Sequence, residues 1–279
     1  MKAYLDLLRD VYENGRVKTD RTGVGTKQVF GRMIRFDLSK GFPAVTTKRL
    51  AFNAVVGELL WMIQGSTNVE HLRKLTHGEG SSKRTIWDAN FEAQGRALGY
   101  TDGYLGPVYG KQWRQFGNSR PVDQLQDVID QIKANPDSRR LLVVAWNPED
   151  LPAMALPPCH YAYQFEVYDG KLSLMWNQRS LDMALGAPFD IASYALLVHI
   201  VASICGLEVG ELIMSVADTH IYLNHLDGVA EQLSREPGVA PTLVMPKIES
   251  LSDLRGLTAA DFKLENYFPQ PTIKFDMAV

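Results

Sequence analysis

The stretch "YAYQFEVYDGKLSLMWNQ", residues 161–178, decides the fold. Apolar and polar residues alternate on both sides of Asp169-Gly170, which reads as two strands joined by a tight hairpin. Working outward, "LLVVAWN" (141–147) precedes it and "ELIMSVADTHIY" (211–222) follows, and both are β-rich. The run "IASYALLVHIVASICGL" (191–207) lies between strands as a helix from Ile191 to Cys205. It is shorter than a comfortable membrane span and contains His199 and serines, which fits a buried helix.

Helical spacing recurs upstream. "MKAYLDLLRDVYENG" puts Tyr4, Leu7, Leu8 and Val11 on one face and has no signal-peptide core. "AFNAVVGELLWMIQG" is a helix ending at Gly65, and "DQLQDVIDQIKANPDSRR" one that stops at Asn135-Pro136. "DRTGVGTKQVFGRMIRFDL" (20–38) reads as a Gly-rich turn and a strand pair, and "THGEGSSKR" as a polar loop. "PTLVMP" and "PTIKFDMAV" near the end look strand-like. The pattern is α+β with a mostly β centre, and the lack of regular βαβ alternation argues against a doubly wound sheet.

The 279 residues are 46% apolar and 22% charged, enough for a sizeable core, and no linker or repeat divides them. A net charge of -3 argues against a surface built for nucleic acid. Two cysteines, Cys159 and Cys205, are too few for a disulfide scaffold, and no spacing suggests a metal. A soluble protein of a reducing, cytoplasmic compartment is expected.

Several residue types could carry chemistry. Cys159, followed by His160, is a buried small hydrophobe or a nucleophile, and the second role needs a nearby cation such as Arg179. Arg139-Arg140, with Arg21 far upstream, is solvated surface charge or a forked phosphate grip. His220 and Tyr222, two apart on a strand, share a face and could hold a sugar hydroxyl. Glu58 among apolar helix neighbours is a candidate acid or base with a shifted pKa. Trp87, Tyr109 and Trp113 are core residues or a platform for a flat ring. Asp190 in "LGAPFDIASY" caps the following helix, reads a ligand, or does both.

Taken together, "DRTGVGT", "GFPAVTTKRL", "GELLWMIQGSTN", "TIWD", "LGPVYGKQWR", "NPDSRR", "LPPCHYAYQF", "QRSLDMALGAPFDIASYALL", "DTHIYLNH" and "QLSREP" run in order across nearly the whole chain. The chain resembles thymidylate synthase and its deoxycytidylate-modifying relatives. The resemblance implies one catalytic domain over residues 1–279, a mixed β-sheet packed with helices, and a homodimer formed through that sheet. It implies one-carbon transfer from 5,10-methylenetetrahydrofolate, as cosubstrate, to C5 of a pyrimidine nucleoside monophosphate. Neither a metal nor nucleic acid nor a membrane is implied. Cys159 matches the nucleophile that adds to C6 of the base. Glu58, Tyr109 and His160 match the network that moves protons around the base. Arg21, Gln178, Arg179 and Ser180 match nucleotide ligands of one subunit, and Arg139 and Arg140 those supplied by its partner. His220 and Tyr222 match the sugar ligands. Lys48, Trp87, Asp182, Gly186 and Phe189 match the folate site, and the terminal "MAV" with Val279 a tail that closes over it.

The departures concern specificity. Thymidylate synthases usually carry Asn at position 190, pairing with O4 and N3–H of uracil. A charged Asp190 would face O4 with a second acceptor, at a cost of roughly 1–3 kcal/mol. Cytosine offers a donor at N4 and an acceptor at N3, so Asp190 is expected to select cytosine. Asn90 replaces a common second Trp, and "SVADTH" replaces Gly-Gly-Asp-Thr-His. A water admitted by Asn90 would finish the reaction as hydroxymethylation. The leading expectation is therefore dCMP hydroxymethylation. The alternatives are thymidylate synthase acting on dUMP, a dCMP or CMP methylase or hydroxymethylase, and a non-catalytic nucleotide- or RNA-binding protein.

Overall fold

The computed structural model describes residues 1–20 and 23–276. Helix α1 (Lys2–Asn14) buries Tyr4, Leu7, Leu8 and Val11, the face its spacing marks. After β1 (Arg16–Lys18) comes β2 (Thr26–Asp37). The strand pair expected over 20–38 is one long strand. Gly31, at φ +72°, is passed over in the ladder, yet Phe30 and Arg32 pair with Asp218 and Val216 of the same partner strand. An isolated glycine kinks a strand without turning it back.

Helices α2 (Phe52–Ile63), α3 (Val69–His77) and α4 (Trp87–Asn90) follow, the last continuing into a π-helical turn, Phe91–Gly95. Next come α5 (Tyr109–Arg114) and α6 (Gln124–Ala134). Asp123 starts α6 by accepting from the Gln126 N–H, and the helix stops at Asn135 before Pro136. β3 (Leu142–Val144) and the hairpin of β4 (His160–Tyr168) and β5 (Lys171–Asp182) form the centre. Asp169 and Gly170 take the positive φ values of +48° and +71° that the hairpin requires.

Helix α7 spans Gly186–Cys205, five residues more than the apolar run indicated. Asp190 therefore lies inside the helix and does not cap it. The entering turn is held by Asp182, which accepts from the N–H groups of Ala184 and Leu185. Pro188 fits because the first-turn N–H groups have no helical partner. β6 (Glu208–Tyr222), α8 (Leu226–Leu233), β7 (Thr242–Val244) and β8 (Lys263–Glu265) complete the chain. The strand-like 271–276 carries no strand, and "TLV" pairs with "KLE" of β8 instead.

Among the described residues the main sheet has the order β1-β2-β6-β5-β4-β3. Neighbours are antiparallel except β5 and β6, which are parallel and joined by α7 as a crossover. One face buries Leu172, Leu174 and Trp176 of β5 and Leu212, Met214 and Val216 of β6. α7 packs against these strands and α2, which explains why it is apolar on all sides. By length and composition α7 could cross a membrane, but it is the core helix here. In register across the opposite face run Arg35, Ile213, Met175, Gln164 and Leu142, all partly or fully exposed.

The same topology gathers chemistry at one end of the sheet. His160 pairs with Gln178, Ser180 with Asp218, and Asp182 with His220. The β4 ladder carries a bulge there, between His160 and Ala162, so Tyr161 is an extra residue beside Cys159.

Candidate active site

Cys159 sits just ahead of β4. Its backbone N–H donates to the Tyr109 hydroxyl (2.7 Å), and its carbonyl accepts from the Arg179 N–H (2.9 Å). The Arg179 guanidinium is aimed by the carbonyls of Pro157 and Pro158 and lies 3.8 Å from the Cys159 sulfur. The cation expected beside Cys159 is thus present. Burial nevertheless raises the thiol pKa, against the pull of Arg179 and with a further push from Asp190. Cys159 therefore rests as a thiol.

Two carboxyls join the cluster: Asp190 acts on the Cys159 thiol, and Glu58 acts on Asp190. Glu58, on α2, accepts from the Trp87 indole N–H at 2.6 Å, and desolvation raises its pKa to about 7 despite that bond. Asp190, on α7, accepts from Gln178 Nε2 at 2.8 Å. Desolvation raises its pKa to about 7, Gln178 opposes this, and the charges of Glu58 and Asp182 add to it. Both residues are partly buried. Groups poised near neutrality suit proton transfer.

Behind them runs a chain of rings. His160 stacks on Tyr109 at 4.2 Å and bonds the Tyr194 hydroxyl through Nδ1 at 2.8 Å. Desolvation lowers its pKa to about 3, so it stays neutral. Tyr194 in turn stacks on Trp176 at 4.9 Å. Trp87 lies buried against Trp61, its indole N–H committed to Glu58. Trp113 is core, packed edge-on against Tyr163.

His220 is buried, its Nδ1 bonded to Asp218 at 2.9 Å and its ring 5.1 Å from Tyr222. Lys48, Asp182, Gly186 and Phe189 gather around the start of α7. Lys48 Nζ donates to the Ala184 carbonyl at 2.5 Å, and desolvation lowers its pKa to about 8 against the pull of Asp182. A Cβ on Gly186 would meet nothing closer than 3.8 Å. Nothing among the described residues forces glycine there, so its missing side chain leaves space for a ligand. That space, the Phe189 ring and the Lys48 ammonium fit a flat ring with an anionic tail.

Two expected groups stand apart. Arg139 and Arg140 are exposed on the loop between α6 and β3, with no side-chain partner among the described residues. Arg21 and Val279 lie outside the described residues. Phe275, near the end of the described chain, covers Lys48 at 4.6 Å, and the Asp276 carbonyl is bonded by His225. Asn90, expected to admit water, makes a long 3.4 Å bond to Gln94. Among the described residues no acidic, His and Cys group could hold a metal ion.

The sequence reading missed Tyr194 and Trp176. Tyr194 had a signal, a hydroxyl inside an otherwise apolar helix. Trp176 had a fainter one. It shares the core-facing register of β5 with a polar residue, Gln178, that needs a partner there.

A cysteine beside a guanidinium, with two carboxyls shifted towards neutrality and a neutral histidine nearby, is a set of groups suited to covalent addition and proton relay. The thymidylate synthase family matches residues 2–279. Thymidylate synthase of Enterobacteria phage T4 is 51% identical over the full length of both chains, and a probable thymidylate synthase of Escherichia phage T5 is 52% identical, also over both full lengths. The crystal structure of the T4 phage enzyme superposes with a TM-score of 0.93 at 50% identity, covering both chains entirely. The chain belongs to the thymidylate synthase family. It carries the family's folate-dependent one-carbon transfer to pyrimidine C5, with methylenetetrahydrofolate as cosubstrate.

Proposed function

We propose that this chain methylates dUMP at C5, giving dTMP and dihydrofolate. The observation that carries this is the environment of Asp190. The expectation of cytosine selection assumed a carboxylate, but desolvation raises this carboxyl to about 7. Near neutral pH the protonated form is therefore populated. It presents one O–H and one C=O, the same donor and acceptor that a carboxamide offers to O4 and N3–H of uracil. Asp190 thus does not exclude uracil, and full-length relatives named thymidylate synthase support dUMP. Asn90 turned to Gln94 gives hydroxymethylation no structural support.

In this reading Cys159 adds to C6, with Arg179 stabilising the sulfur as its proton leaves. Glu58, steadied by Trp87, relays protons around the base. Neutral His160 and Tyr109 hold the wall behind the sulfur, and His220 and Tyr222 take the sugar hydroxyl. Gln178, Arg179 and Ser180 lie beside the nucleotide. The folate supplies the one-carbon unit and the hydride. Lys48, Trp87, Asp182, Gly186 and Phe189 hold it. Arg139 and Arg140 reach the partner's phosphate in a homodimer formed through the exposed sheet face, with Arg21 and the Val279 tail completing each site. Cytoplasmic location belongs to the same reading and is consistent with two free thiols.

The second reading, dCMP hydroxymethylation, keeps one observation in its favour. The same protonated Asp190 can accept from N4–H and donate to N3. Incubation with methylenetetrahydrofolate and either dUMP or dCMP decides between them. Methylated dUMP with a rise in dihydrofolate absorbance is expected. A hydroxymethyl product from dCMP, with no turnover of dUMP, overturns the proposal.

A further inference from the structure

Asp190 is the end of a three-residue chain. The Trp176 indole N–H donates to Gln178 Oε1 at 3.0 Å, and Gln178 Nε2 donates both to Asp190 Oδ2 at 2.8 Å and to the Ser180 carbonyl at 3.1 Å. Trp176 is wholly buried and Gln178 3% exposed, so no water competes. An amide has two ends. Fixing its oxygen on the indole N–H compels its nitrogen to face the carboxyl. Gln178 thereby offers Asp190 a donor, which favours the carboxylate over the acid.

The other groups around Asp190 work the opposite way. Asp182 on β5 and Glu58 on α2 repel its charge. Tyr109 on α5, Cys159 ahead of β4 and Tyr194 on α7 itself interact with it unfavourably whenever they too are ionised. Gln178 is thus the counterweight that keeps the carboxyl titratable near neutrality, and Trp176 aims the counterweight.

We propose that Trp176, through Gln178, sets the protonation state of Asp190 and so makes the choice between uracil and cytosine depend on pH. The inference rests on the reading above that Asp190 faces the base edge. Either base needs one proton between itself and Asp190 for a full pair of hydrogen bonds. Against uracil that proton bridges to O4, a weakly basic carbonyl oxygen. Against cytosine it bridges to N3, a much more basic ring nitrogen. The cytosine complex therefore holds its proton to higher pH. Below neutrality both bases fit, and as pH rises uracil is lost first. Trp176 is a positioning residue and touches no substrate.

The test measures binding of dCMP and dUMP to the full chain by calorimetry between about pH 5.5 and 8.5, so it needs no turnover. Both nucleotides carry the same phosphate, whose ionisation cancels in their ratio. The dCMP-to-dUMP affinity ratio should rise roughly tenfold per pH unit across the interval separating the two complexes' ionisations. Trp176→Phe keeps the stack on Tyr194 but removes the donor, and Gln178→Leu removes the amide. Each should move the rise to higher pH by about one unit or more. Asp190→Asn should flatten it. A ratio constant with pH in the parent chain, or a rise that survives Asp190→Asn, overturns the proposal. An unmoved midpoint in both Trp176→Phe and Gln178→Leu removes Trp176 from it. No dCMP binding at any pH sinks the inference and leaves dUMP methylation standing. A pH-dependent ratio without dUMP turnover does the reverse.

Discussion

At the base end of the site, Glu58, Asp190, His160 and Cys159 each have a partner within this chain, namely Trp87, Gln178, Tyr194 and Arg179. Arg139 and Arg140, proposed to hold the phosphate, instead project from the α6–β3 loop with no side-chain partner among the described residues. The difference is one of solvent. Proton relays need fixed geometry and removal of water, which the fold must supply in advance. A guanidinium waiting for a phosphate is stable in water and can be brought up by a second surface.

The largest expected effect breaks this comparison directly. Cys159→Ala should cost on the order of 10⁴-fold or more in turnover. The double change Arg139→Ala with Arg140→Ala should cost about 10²-fold or more in kcat/KM through lost charge-assisted bonds. Refolded together, the two inactive chains should recover up to about a quarter of the parent's activity, because half of random dimers are mixed and each has one complete site. Product formation measures this. No recovery on mixing places both arginines in their own chain's chemistry.

Glu58→Gln sharpens the base end. Turnover should fall roughly 10²–10⁴-fold while nucleotide affinity changes little. Stability should move the other way. The folded Glu58 holds its proton to about 7, above the ordinary 4.5, so the parent loses stability as pH rises through that window and levels off beyond it. The glutamine variant lacks this loss. Its melting temperature relative to the parent should therefore climb by a few degrees between about pH 5 and 8, following about 1.4 kcal/mol per pH unit as the ceiling. A constant gap means that the carboxyl ionises freely in the folded chain.

The smallest effect concerns resting reactivity. Alkylation of Cys159 by iodoacetamide should follow a thiol titrating above the ordinary range, because burial outweighs Arg179. A midpoint below that range shows that the guanidinium dominates.

Much of this was legible where chemistry and periodicity coincide. The Asp169-Gly170 hairpin, the buried face of α1, the stop of α6 and the displaced pKa of Glu58 follow from local rules. The start of α7 did not, because Pro188 and Asp190 both resemble a boundary although a first turn tolerates them. The strand pair expected over 20–38 is a single strand because its ladder with β6 continues past Gly31, and that pairing is not encoded within the segment. The partnership of Trp176 with Gln178 is a matter of which amide end faces which neighbour, and no residue spacing encodes that.

The bulge at Tyr161 acts on β4 as an inserted letter acts on a reading frame. A strand assigns its residues to two faces by parity, and one extra residue resets the count. Cys159 and His160 occupy the frame before the insertion, and the rest of β4 the frame after it. Deleting Tyr161 would leave the hairpin and the core beyond it in register. It would also rotate Cys159 and His160 toward the opposite side of the sheet, a silent edit to the scaffold and a nonsense edit to the proposed chemistry.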